Sequence, residues 1–387
     1  MKYSVVIYCP DQHLEYNIHT LDNQGVGGGV TARVRMAHAL AALGHRVTLY
    51  VNCPKDETIR GVKYYHFSKL SELKAEIFIA STSGDGCDLS ELCAVDINAK
   101  LAILLSHGIE PPIGIDCLQF DYFYSPSNFA RALSEKNWGV ETNKLFVTYR
   151  GVRGQNFERA GDLPIKRDPY ALLYAGHPIK GLDAALRVLR LLRQNDSRFS
   201  LHIFGGYGLW GDEEMRIEEE AGVKYHGLIG QLELARRMQA LGFCINLQSM
   251  EDSFGMVNIE AMRAGCIVIA SEVGAYPEVV HHGKNGFIIK GDHLKESTQM
   301  EAVALIMELV EDQERCRYIR ENAIASPHDW SKIAKAWEGH WDWALSERLS
   351  SSSELVGSCS LCGGSWLILA DGYHCTDCGY YQQYVSG

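Results

Sequence analysis

The residues best suited to chemistry are two carboxylates, Asp252 and Glu260, in the segment MEDSFGMVNIEAMRAGCIVIAS. The apolar spacing of this segment predicts a half-buried helix that begins near Ser253. Carboxylates are rarely buried without a partner, and eight residues along a helix return a side chain to within about 80° of its first direction. The two carboxylates could therefore address one ligand. A helix-capping aspartate followed by a solvated glutamate explains the same spacing, and the segment alone leaves both interpretations open.

Two glycine-containing segments could bind phosphate. The first, GVGGGVTAR, includes Gly28 and Gly29 and opens a predicted helix, where backbone N–H groups can approach an anion. Its glycine spacing differs from that of dinucleotide-binding loops, so a structural turn explains it equally well. The second, YAGHPIKGLDAAL, places Lys180 just before another helix. A cation there opposes the helix dipole, which suggests a diphosphate ligand for Lys180, with a solvated lysine as the alternative.

The four cysteines nearest the C-terminus form two Cys-x-x-Cys pairs, Cys359 with Cys362 and Cys375 with Cys378, each followed by glycine. Two such pairs can complete a tetrahedral S₄ site, so the spacing predicts one closed, structural zinc ion and resembles a zinc ribbon. Disulfides or an iron site would use the same residues. Residues 354–387 contain no Lys or Arg, which argues against nucleic acid as a partner. Aromatic residues in this tail favour docking on the chain's own body or on a partner protein: Trp366, Tyr373, Tyr380 and Tyr381.

The segments that must position these residues alternate between apolar strands and amphipathic helices. The first set consists of YSVVIYC, a helix that ends near Gly44, a second strand, and then EIFIAS, LAILLSH and YFYSPS. The second set consists of YALLYAG, GLDAALRVLRLLRQN, FSLHIFGG, FCINLQS and CIVIAS. Strands that alternate with helices predict parallel sheets. We therefore predict an α/β protein with two doubly wound Rossmann-like domains, residues 1–155 and 156–328, that face a cleft and bind ligands at the carboxyl ends of their strands.

Composition limits the class of protein. The 387 residues carry a net charge of −11, so attraction to nucleic acid or anionic lipid through bulk charge is not expected. No apolar run reaches membrane-spanning length, and the N-terminus lacks the features of a signal peptide. We therefore expect a cytoplasmic protein. Eight cysteines that occur singly in apolar segments are predicted to be reduced thiols: Cys9, Cys53, Cys87, Cys93, Cys117, Cys244, Cys266 and Cys316.

These segments together resemble the family-4 retaining glycosyltransferases, which have the two-domain GT-B fold. The family's signature is two glutamates separated by seven residues. Here Asp252 replaces the first glutamate, with Glu251 as a shifted alternative, and His177 stands where the family usually has an arginine. The resemblance covers roughly residues 1–345. The stretches that carry it are GGGVTARVRMAHALAALGHRVTLY, SPSNFARAL, YRGV, YAGHPIKGLDAAL, HGLIGQLELARRM, EDSFGMVNIEAMRAG and VGAYPEVVHHGKNGFII.

The resemblance implies a role for each candidate residue. Glu260 would hydrogen-bond the ribose of a nucleotide sugar, while Asp252 and nearby backbone amides would hold the sugar hydroxyls. Lys180 and a second cation, with Arg150 and Arg153 as substitutes for the usual arginine, would bind the diphosphate. His107, at the end of LAILLSH, would lie near the acceptor. Alternatively, His107 is a hydrogen-bonded residue of the core with no role in binding. The predicted catalytic residues are His107, Asp252 and Lys180, and the predicted donor-binding residues are Gly28, Gly29, His177, Lys180, Phe254, Gly255, Met256 and Glu260.

The activity implied by the resemblance is transfer of a sugar, with retention at the anomeric carbon, from a nucleoside-diphosphate sugar to an acceptor hydroxyl in glycan or glycoconjugate biosynthesis. No catalytic metal is expected, because cations and amides would neutralise the diphosphate. Loops at residues 11–25 and 84–93 are expected to contact the acceptor. We also expect a helix at residues 329–349 that packs back on the first domain, and a zinc ribbon at residues 355–387. The alternative is a catalytically weak sugar-nucleotide-binding or scaffold subunit that acts through its zinc ribbon.

Overall fold

The chain folds into two compact units. In the computed structural model, the first unit comprises residues 1–18, 28–151 and 328–387, and the second comprises residues 19–27 and 152–327. The sequence predicted boundaries after residues 155 and 328 and did not separate residues 19–27 from the first domain. The structure describes these residues: 2–115, 119–158, 166–213, 220–347, 366–369, 372–375 and 381–383.

Ten α-helices lie in the described part of the chain, and the longest three have 15, 16 and 18 residues. None of the described helices is both long enough and apolar enough to cross a membrane. In chain order the helices are α1 (Ile18–Asn23), α2 (Gly28–Ala42), α3 (Asn128–Trp138), α4 (Leu182–Asn195), α5 (Gln231–Gln239), α6 (Met256–Ala264), α7 (Tyr276–Val279), α8 (Glu296–Glu311), α9 (Gln313–Ile324) and α10 (Trp330–Glu347).

The first unit is built on an eight-stranded sheet. Its strands are β1 (Ser4–Tyr8), β2 (Arg46–Val51), β3 (Glu57–Ile59), β4 (Val62–His66), β5 (Glu72–Ser81), β6 (Asp96–Leu105), β7 (Tyr122–Ser125) and β8 (Leu145–Val147). Their order across the sheet is β3-β4-β2-β1-β5-β6-β7-β8. All neighbours are parallel except β3 and β4. The predicted parallel sheet is therefore confirmed, and the sequence missed the short strands β3, β4 and β8.

Apolar strands and the C-terminal helix form the core of the first unit. Val5 and Ile7 of β1 and Ile103 of β6 are fully buried, as β-branched residues of a parallel sheet covered on both faces usually are. Helix α10 packs against α2 and buries Trp337 and Trp341 completely. The indole N–H of Trp337 donates to Thr148 Oγ1 at 2.6 Å. The C-terminal helix thus holds the segment that follows β8.

The second unit is built on a six-stranded, fully parallel sheet. Its strands are β9 (Asp168–Gly176), β10 (Ser200–Gly205), β11 (Val223–Gly227), β12 (Leu241–Asn246), β13 (Ile267–Ser271) and β14 (Phe287–Ile289). Their order is β11-β10-β9-β12-β13-β14, and every neighbouring pair is parallel. Leu172, Ile203 and Ile245 form part of one buried core with the apolar face of α4. This arrangement confirms the second predicted doubly wound sheet.

The predicted start of the helix after β12 is wrong by three residues. Helix α6 begins at Met256, and Gly255 is its N-cap residue with a φ of +82°. A side chain at this position would also clash with the Tyr276 ring, so the turn requires glycine on two counts. Because Asp252 lies before the helix, the eight-residue helical argument that paired it with Glu260 does not apply.

The C-terminal tail contains a three-stranded antiparallel sheet. Its strands are β15 (Trp366–Leu369), β16 (Gly372–Cys375) and β17 (Tyr381–Gln383), and each of them contacts α10 in the same unit. Cys375 is the last residue of β16 and is fully buried. Of the other predicted zinc ligands, Cys359, Cys362 and Cys378 lie outside the described residues.

One of the singly occurring cysteines is not a reduced thiol. Cys93 is disulfide-bonded, so the prediction of a reduced thiol is wrong at this position. Spacing along the chain could not show this bond, because a disulfide depends on proximity in space. Cys117 lies outside the described residues. Six of the eight are buried free thiols, as predicted: Cys9, Cys53, Cys87, Cys244, Cys266 and Cys316.

Candidate functional site

In the second unit, the turn between β9 and α4 brings Lys180 to the carboxyl end of the sheet. Gly181, with a φ of +94°, is the N-cap residue of α4. A side chain at Gly181 would clash with the backbone carbonyl of Leu247, so the turn lies directly against the segment that follows β12. This close approach places Lys180 beside the loop that carries Asp252.

Lys180 and Asp252 form an ion pair. Lys180 Nζ lies 2.8 Å from Asp252 Oδ2, and the two side chains are only 28% and 16% exposed. Burial by itself would raise the pKa of the Asp252 carboxyl. The Lys180 ammonium and the backbone N–H donors around the carboxylate outweigh burial and hold that pKa below its ordinary value. The carboxylate is therefore ionised at neutral pH, and Lys180 is already engaged.

The Asp252 carboxylate also closes its own loop. Oδ1 accepts hydrogen bonds from the backbone N–H groups of Phe254 at 3.1 Å and Gly255 at 2.9 Å. Oδ2 accepts from the Tyr276 hydroxyl at 3.4 Å, in addition to Lys180. The expectation that the amides of Phe254 and Gly255 hold sugar hydroxyls is therefore not met, because both amides point to Asp252.

A buried polar network supports this loop from below. The Gln248 side-chain amide donates to the Tyr276 hydroxyl, and the Gln248 backbone N–H donates to Ser271 Oγ at 2.9 Å. Asn246 Nδ2 donates to Asn258 Oδ1 at 2.8 Å. None of these four supporting residues, Asn246, Gln248, Asn258 and Tyr276, was among the predicted site residues. The detectable signal was the polar end of the otherwise apolar segment FCINLQS, since buried polar side chains usually have hydrogen-bond partners.

Two predicted donor-binding residues lie on α6. Met256 is its first residue, and Glu260 lies one turn further along. Glu260 is half-buried, while its neighbours Ile259 and Ala261 are fully buried. Glu260 thus lies at the boundary between core and solvent in the middle of α6.

His177 is held by three neighbours. Its Nε2 lies 3.1 Å from Asp212 Oδ2, and its Nδ1 accepts a 3.4 Å hydrogen bond from the Ile179 backbone N–H. The ring stacks on Trp210 with 3.9 Å between centroids, and the side chain is only 5% exposed. Because both ring nitrogens already have partners, the prediction that His177 donates to a diphosphate does not fit this arrangement.

In the first unit, His107 follows the carboxyl end of β6 and is held by Arg150. Arg150 Nη2 lies 3.1 Å from His107 Nδ1 and donates to the Ser106 carbonyl at 2.6 Å. The idea that Arg150 substitutes for a diphosphate-binding arginine is therefore wrong, since its guanidinium is buried against His107. Arg153, the other proposed substitute, bonds the Gln155 side chain at the surface.

The glycine loop meets His107. Gly28 is the first residue of α2, and a Cβ at Gly29 would lie 3.0 Å from the Ser83 carbonyl and 3.6 Å from His107 Cγ. Glycine therefore lets the N-terminal turn of α2 approach the ends of β5 and β6. The structure thus brings together Gly29, a predicted donor-binding residue, and His107, a predicted catalytic residue.

A buried ionic cluster lies beside this loop and was also missed. Arg33, on α2, is fully buried. Its Nη1 donates to Asp11 Oδ2 at 3.2 Å and to the Tyr16 hydroxyl, and its Nη2 donates to the Thr82 carbonyl at 2.8 Å. An arginine within the apolar run VTARVRMAHAL was the available signal, since a buried charge needs partners.

The family profile described as "Glycosyl transferases group 1" matches residues 157–326. This range contains the β9–α4 turn with Lys180, the Asp252 loop and Glu260. Residues 157–326 are therefore similar to glycosyl transferases group 1. The matched segment accounts for most of the second unit, and the profile match does not extend to the first.

Proteins with similar sequences align with this chain over a length close to that of the profile match. A D-inositol 3-phosphate glycosyltransferase of Streptomyces scabiei is 29% identical over 177 residues, which cover 40% of this chain and 40% of the relative. A phosphatidyl-myo-inositol mannosyltransferase of Mycobacterium tuberculosis is 28% identical over 194 residues, which cover 48% and 50%. The chain therefore spans half or less of the length of these relatives.

Solved structures resemble nearly the whole chain. Sucrose-phosphate synthase from Thermosynechococcus elongatus has a TM-score of 0.65 and 16% identity, and the match covers 89% of this chain and 99% of that one. Anabaena Alr3699/HepE in complex with UDP-glucose has a TM-score of 0.60 and 14% identity, with 90% and 100% covered. At such identities the likeness shows the fold alone, and the two parallel-sheet α/β units are those of a GT-B glycosyltransferase fold.

Proposed function

We propose that the protein is a retaining glycosyltransferase that moves a sugar from a nucleoside-diphosphate sugar to an acceptor hydroxyl. The observation that carries this proposal is the match of residues 157–326 to the group 1 profile, within which Lys180 and Asp252 form an ion pair at the carboxyl end of the sheet. Ligands of open parallel sheets bind at this edge. A cation there, close to the N-terminus of α6, suits the negative charge of a diphosphate.

The donor class is supported by the relatives. The Anabaena structure holds UDP-glucose, and the sequence relatives bear the names of glycosyl- and mannosyltransferases. In our proposal Lys180 binds the donor diphosphate and Glu260 binds the ribose. An ammonium has three N–H donors, so Lys180 can keep Asp252 and still donate to a phosphate oxygen. Asp252 then acts by holding Lys180 and the loop, and the protein itself supplies the charge that offsets the diphosphate.

The proposal is tested by donor binding and by turnover. UDP-, GDP- and ADP-sugars should be screened by thermal shift, since a ligand at about 100 times its Kd stabilises the folded state by about 2.7 kcal/mol. The stabilising donor should then be offered with candidate hydroxyl acceptors while nucleoside diphosphate release is recorded. NMR of the anomeric proton in the product should show retained configuration. The Lys180→Met variant, which keeps most of the side-chain volume, should lose both stabilisation and release.

Three results would change the proposal in whole or in part. Binding of a donor without release of nucleoside diphosphate, by hydrolysis or by transfer, would favour the alternative of a sugar-nucleotide-binding or scaffold subunit. Absence of stabilisation by every donor tested would contradict donor binding itself. An inverted product would leave glycosyl transfer in place and overturn only the retaining mechanism.

We further propose that the tail binds one structural zinc ion through Cys359, Cys362, Cys375 and Cys378. Cys375 fits this role because it is buried at the end of β16, directly before the connection to β17 that contains Cys378. Zinc held by four thiolates would supply folding energy that so small a sheet lacks. Docking of the tail on its own body is supported by the contact of its strands with α10.

Elemental analysis should find one zinc ion per chain. Cys375→Ser should lower the zinc content and loosen the tail, as measured by limited proteolysis, while donor binding persists. Cys53→Ser, which removes a buried thiol of the first unit, is the matched control and should keep the zinc. Metal-free protein with a protease-resistant tail would contradict the zinc proposal.

A further inference from the structure

The contact between Arg150 and His107 determines where the imidazole carries its hydrogen. A guanidinium has only N–H donors and no acceptor. The short contact of Arg150 Nη2 with His107 Nδ1, 3.1 Å, therefore requires that Nδ1 accept the hydrogen bond. In a neutral imidazole the hydrogen must then be on Nε2. The same Nη2 donates to the Ser106 carbonyl at 2.6 Å, so it binds both the backbone and the ring of this strand end.

The surroundings of His107 favour its neutral form. Burial is the largest cause that lowers the pKa of His107 well below its ordinary value, and the charges of Arg150 and Arg33 lower it further. The N-terminal turn of α2, at Gly29, lies against the ring and adds positive potential. Asp85 Oδ1 accepts hydrogen bonds from the backbone N–H groups of Ile109 and Glu110, in the loop that follows His107.

Arg150 is itself held in place from both sides. Before it, the backbone N–H of Thr148 donates to the Ser125 carbonyl at 2.8 Å, and Thr148 Oγ1 accepts from Trp337 of α10. After it, Gly151 lies so close to α10 that a Cβ would be 2.6 Å from the Trp330 nitrogen. The guanidinium is therefore buried on a segment that α10 fixes, and its position does not depend on a flexible loop.

We propose that Arg150 is a positioning residue that holds His107 as a neutral hydrogen-bond donor through Nε2–H. The inference rests on the proposed glycosyltransferase function and on the expectation, implied by the family resemblance, that His107 lies near the acceptor. It assigns His107 the task of donating a hydrogen bond to a substrate oxygen. It excludes His107 Nε2 as the general base that takes the acceptor's proton, because that nitrogen already carries a hydrogen.

The first test needs no substrate. The ring nitrogens of protein labelled with ¹⁵N-histidine should be recorded by NMR between about pH 5.5 and 8, where an unperturbed histidine titrates. The His107 signals are identified by their loss in His107→Gln. We expect the Nε2–H tautomer with no titration in this range. A hydrogen on Nδ1, or titration close to pH 6.5, would overturn the inference.

The second test removes the guanidinium. In Arg150→Met the His107 tautomers should mix, and kcat should fall about tenfold or more, with a pH profile that differs from that of the parent. Arg150→Lys, which keeps a donor, should restore part of the loss. Arg167→Met removes a partly buried arginine from the second unit and should leave the His107 signals unchanged. An unaltered tautomer in a folded Arg150→Met would contradict the positioning role.

The two proposals can fail separately. If His107 has the expected tautomer but no donor is turned over, the glycosyltransferase function fails and the role of Arg150 in holding the ring stands. If sugar is transferred but His107 titrates near its ordinary pKa, the function stands and the positioning inference is overturned.

Discussion

At the residue scale, Asp252 uses its two carboxylate oxygens for two different tasks. Its Oδ1 closes the loop before α6 through two backbone N–H groups, and its Oδ2 binds Lys180. A shortened acidic side chain fits this arrangement, because the loop N–H groups lie only two and three residues further on. The loop geometry and the charge of the proposed diphosphate site therefore depend on one carboxylate.

The ion pair can be measured with a double-mutant cycle. Asp252→Asn keeps an oxygen for the loop N–H groups and removes the charge, and Lys180→Met removes the ammonium. Because each single change leaves the other partner poorly compensated, the losses in the free energy of unfolding should not add, and the coupling should be on the order of 1 kcal/mol. Urea unfolding of the four proteins measures it. Additive losses within about 0.3 kcal/mol would mean that the pair contributes nothing to stability.

Glu260 gives a second prediction at this scale. Glu260→Ala should weaken donor binding by about 1.5–3 kcal/mol, since a charge-assisted hydrogen bond to ribose is lost. The fold should persist because the side chain is only half-buried. Isothermal titration with the donor found in the screen measures the effect, and Glu301→Ala, at an exposed position of α8, is the control. Equal affinity in both variants would remove Glu260 from the donor site.

At the element scale, close approaches between backbone segments position both ion-pair or hydrogen-bond pairs, Lys180 with Asp252 and Arg150 with His107. The turn at Gly181 lies against the end of β12, and Gly151 lies against the start of α10. In each case a side chain would separate two elements that together position a functional residue. Glycine at these positions therefore serves packing between elements, which is a different role from phosphate contact.

Gly151→Ala should destabilise the first unit by about 1–3 kcal/mol, the usual cost of overpacking. The added Cβ would meet the backbone of α10 at 2.6 Å from the Trp330 nitrogen, and backbone cannot rotate away. Gly27→Ala is the matched control, because its Cβ would lie 3.6 Å from the nearest atom, at ordinary contact distance. Denaturant unfolding compares the two. A loss in Gly27→Ala as large as that in Gly151→Ala would show that the clash is not the cause.

At the scale of the whole molecule, several histidines are kept neutral by the fold. Burial is the largest cause that lowers the pKa of His107, of His45 and of His226. Burial, followed by the charge of Lys224, lowers the pKa of His202 to about 4. Unfolding would release each imidazole to water, where its pKa is about 6.5.

The stability of the protein should therefore fall as the pH drops below about 6.5. The folded pKa values are depressed, so the unfolded state takes up protons first, and the stabilisation that is present above pH 6.5 is lost on acidification. Each fully buried histidine lowers the free energy of unfolding by at most about 1.4 kcal/mol per pH unit of acidification. Half-exposed histidines lower it by less. Urea midpoints at constant ionic strength measure how steeply stability depends on pH, and His202→Gln should make this dependence less steep. A midpoint that rises on acidification would contradict the prediction.

The alternation of apolar strands and helices was sufficient to predict both parallel sheets. Burial on two faces leaves a continuous β-branched run such as YSVVIYC, and this signal is local, so it is present in the sequence itself. The spacing of the four cysteines and the segment from Asp252 to Glu260 are also local patterns, so both could be recognised in the sequence. The group 1 profile independently matches the part of the chain that contains that segment.

The tertiary structure alone decided how the candidate residues are paired. Lys180 meets Asp252 across 72 residues, and Arg150 meets His107 across 43. Each pair joins the ends of different elements, and their approach depends on how sheets and helices pack. Local sequence patterns likewise could not show where α6 starts or that Cys93 forms a disulfide. Charges, thiols and imidazoles take their state from neighbours in space, so their chemistry follows from the folded arrangement and not from spacing along the chain.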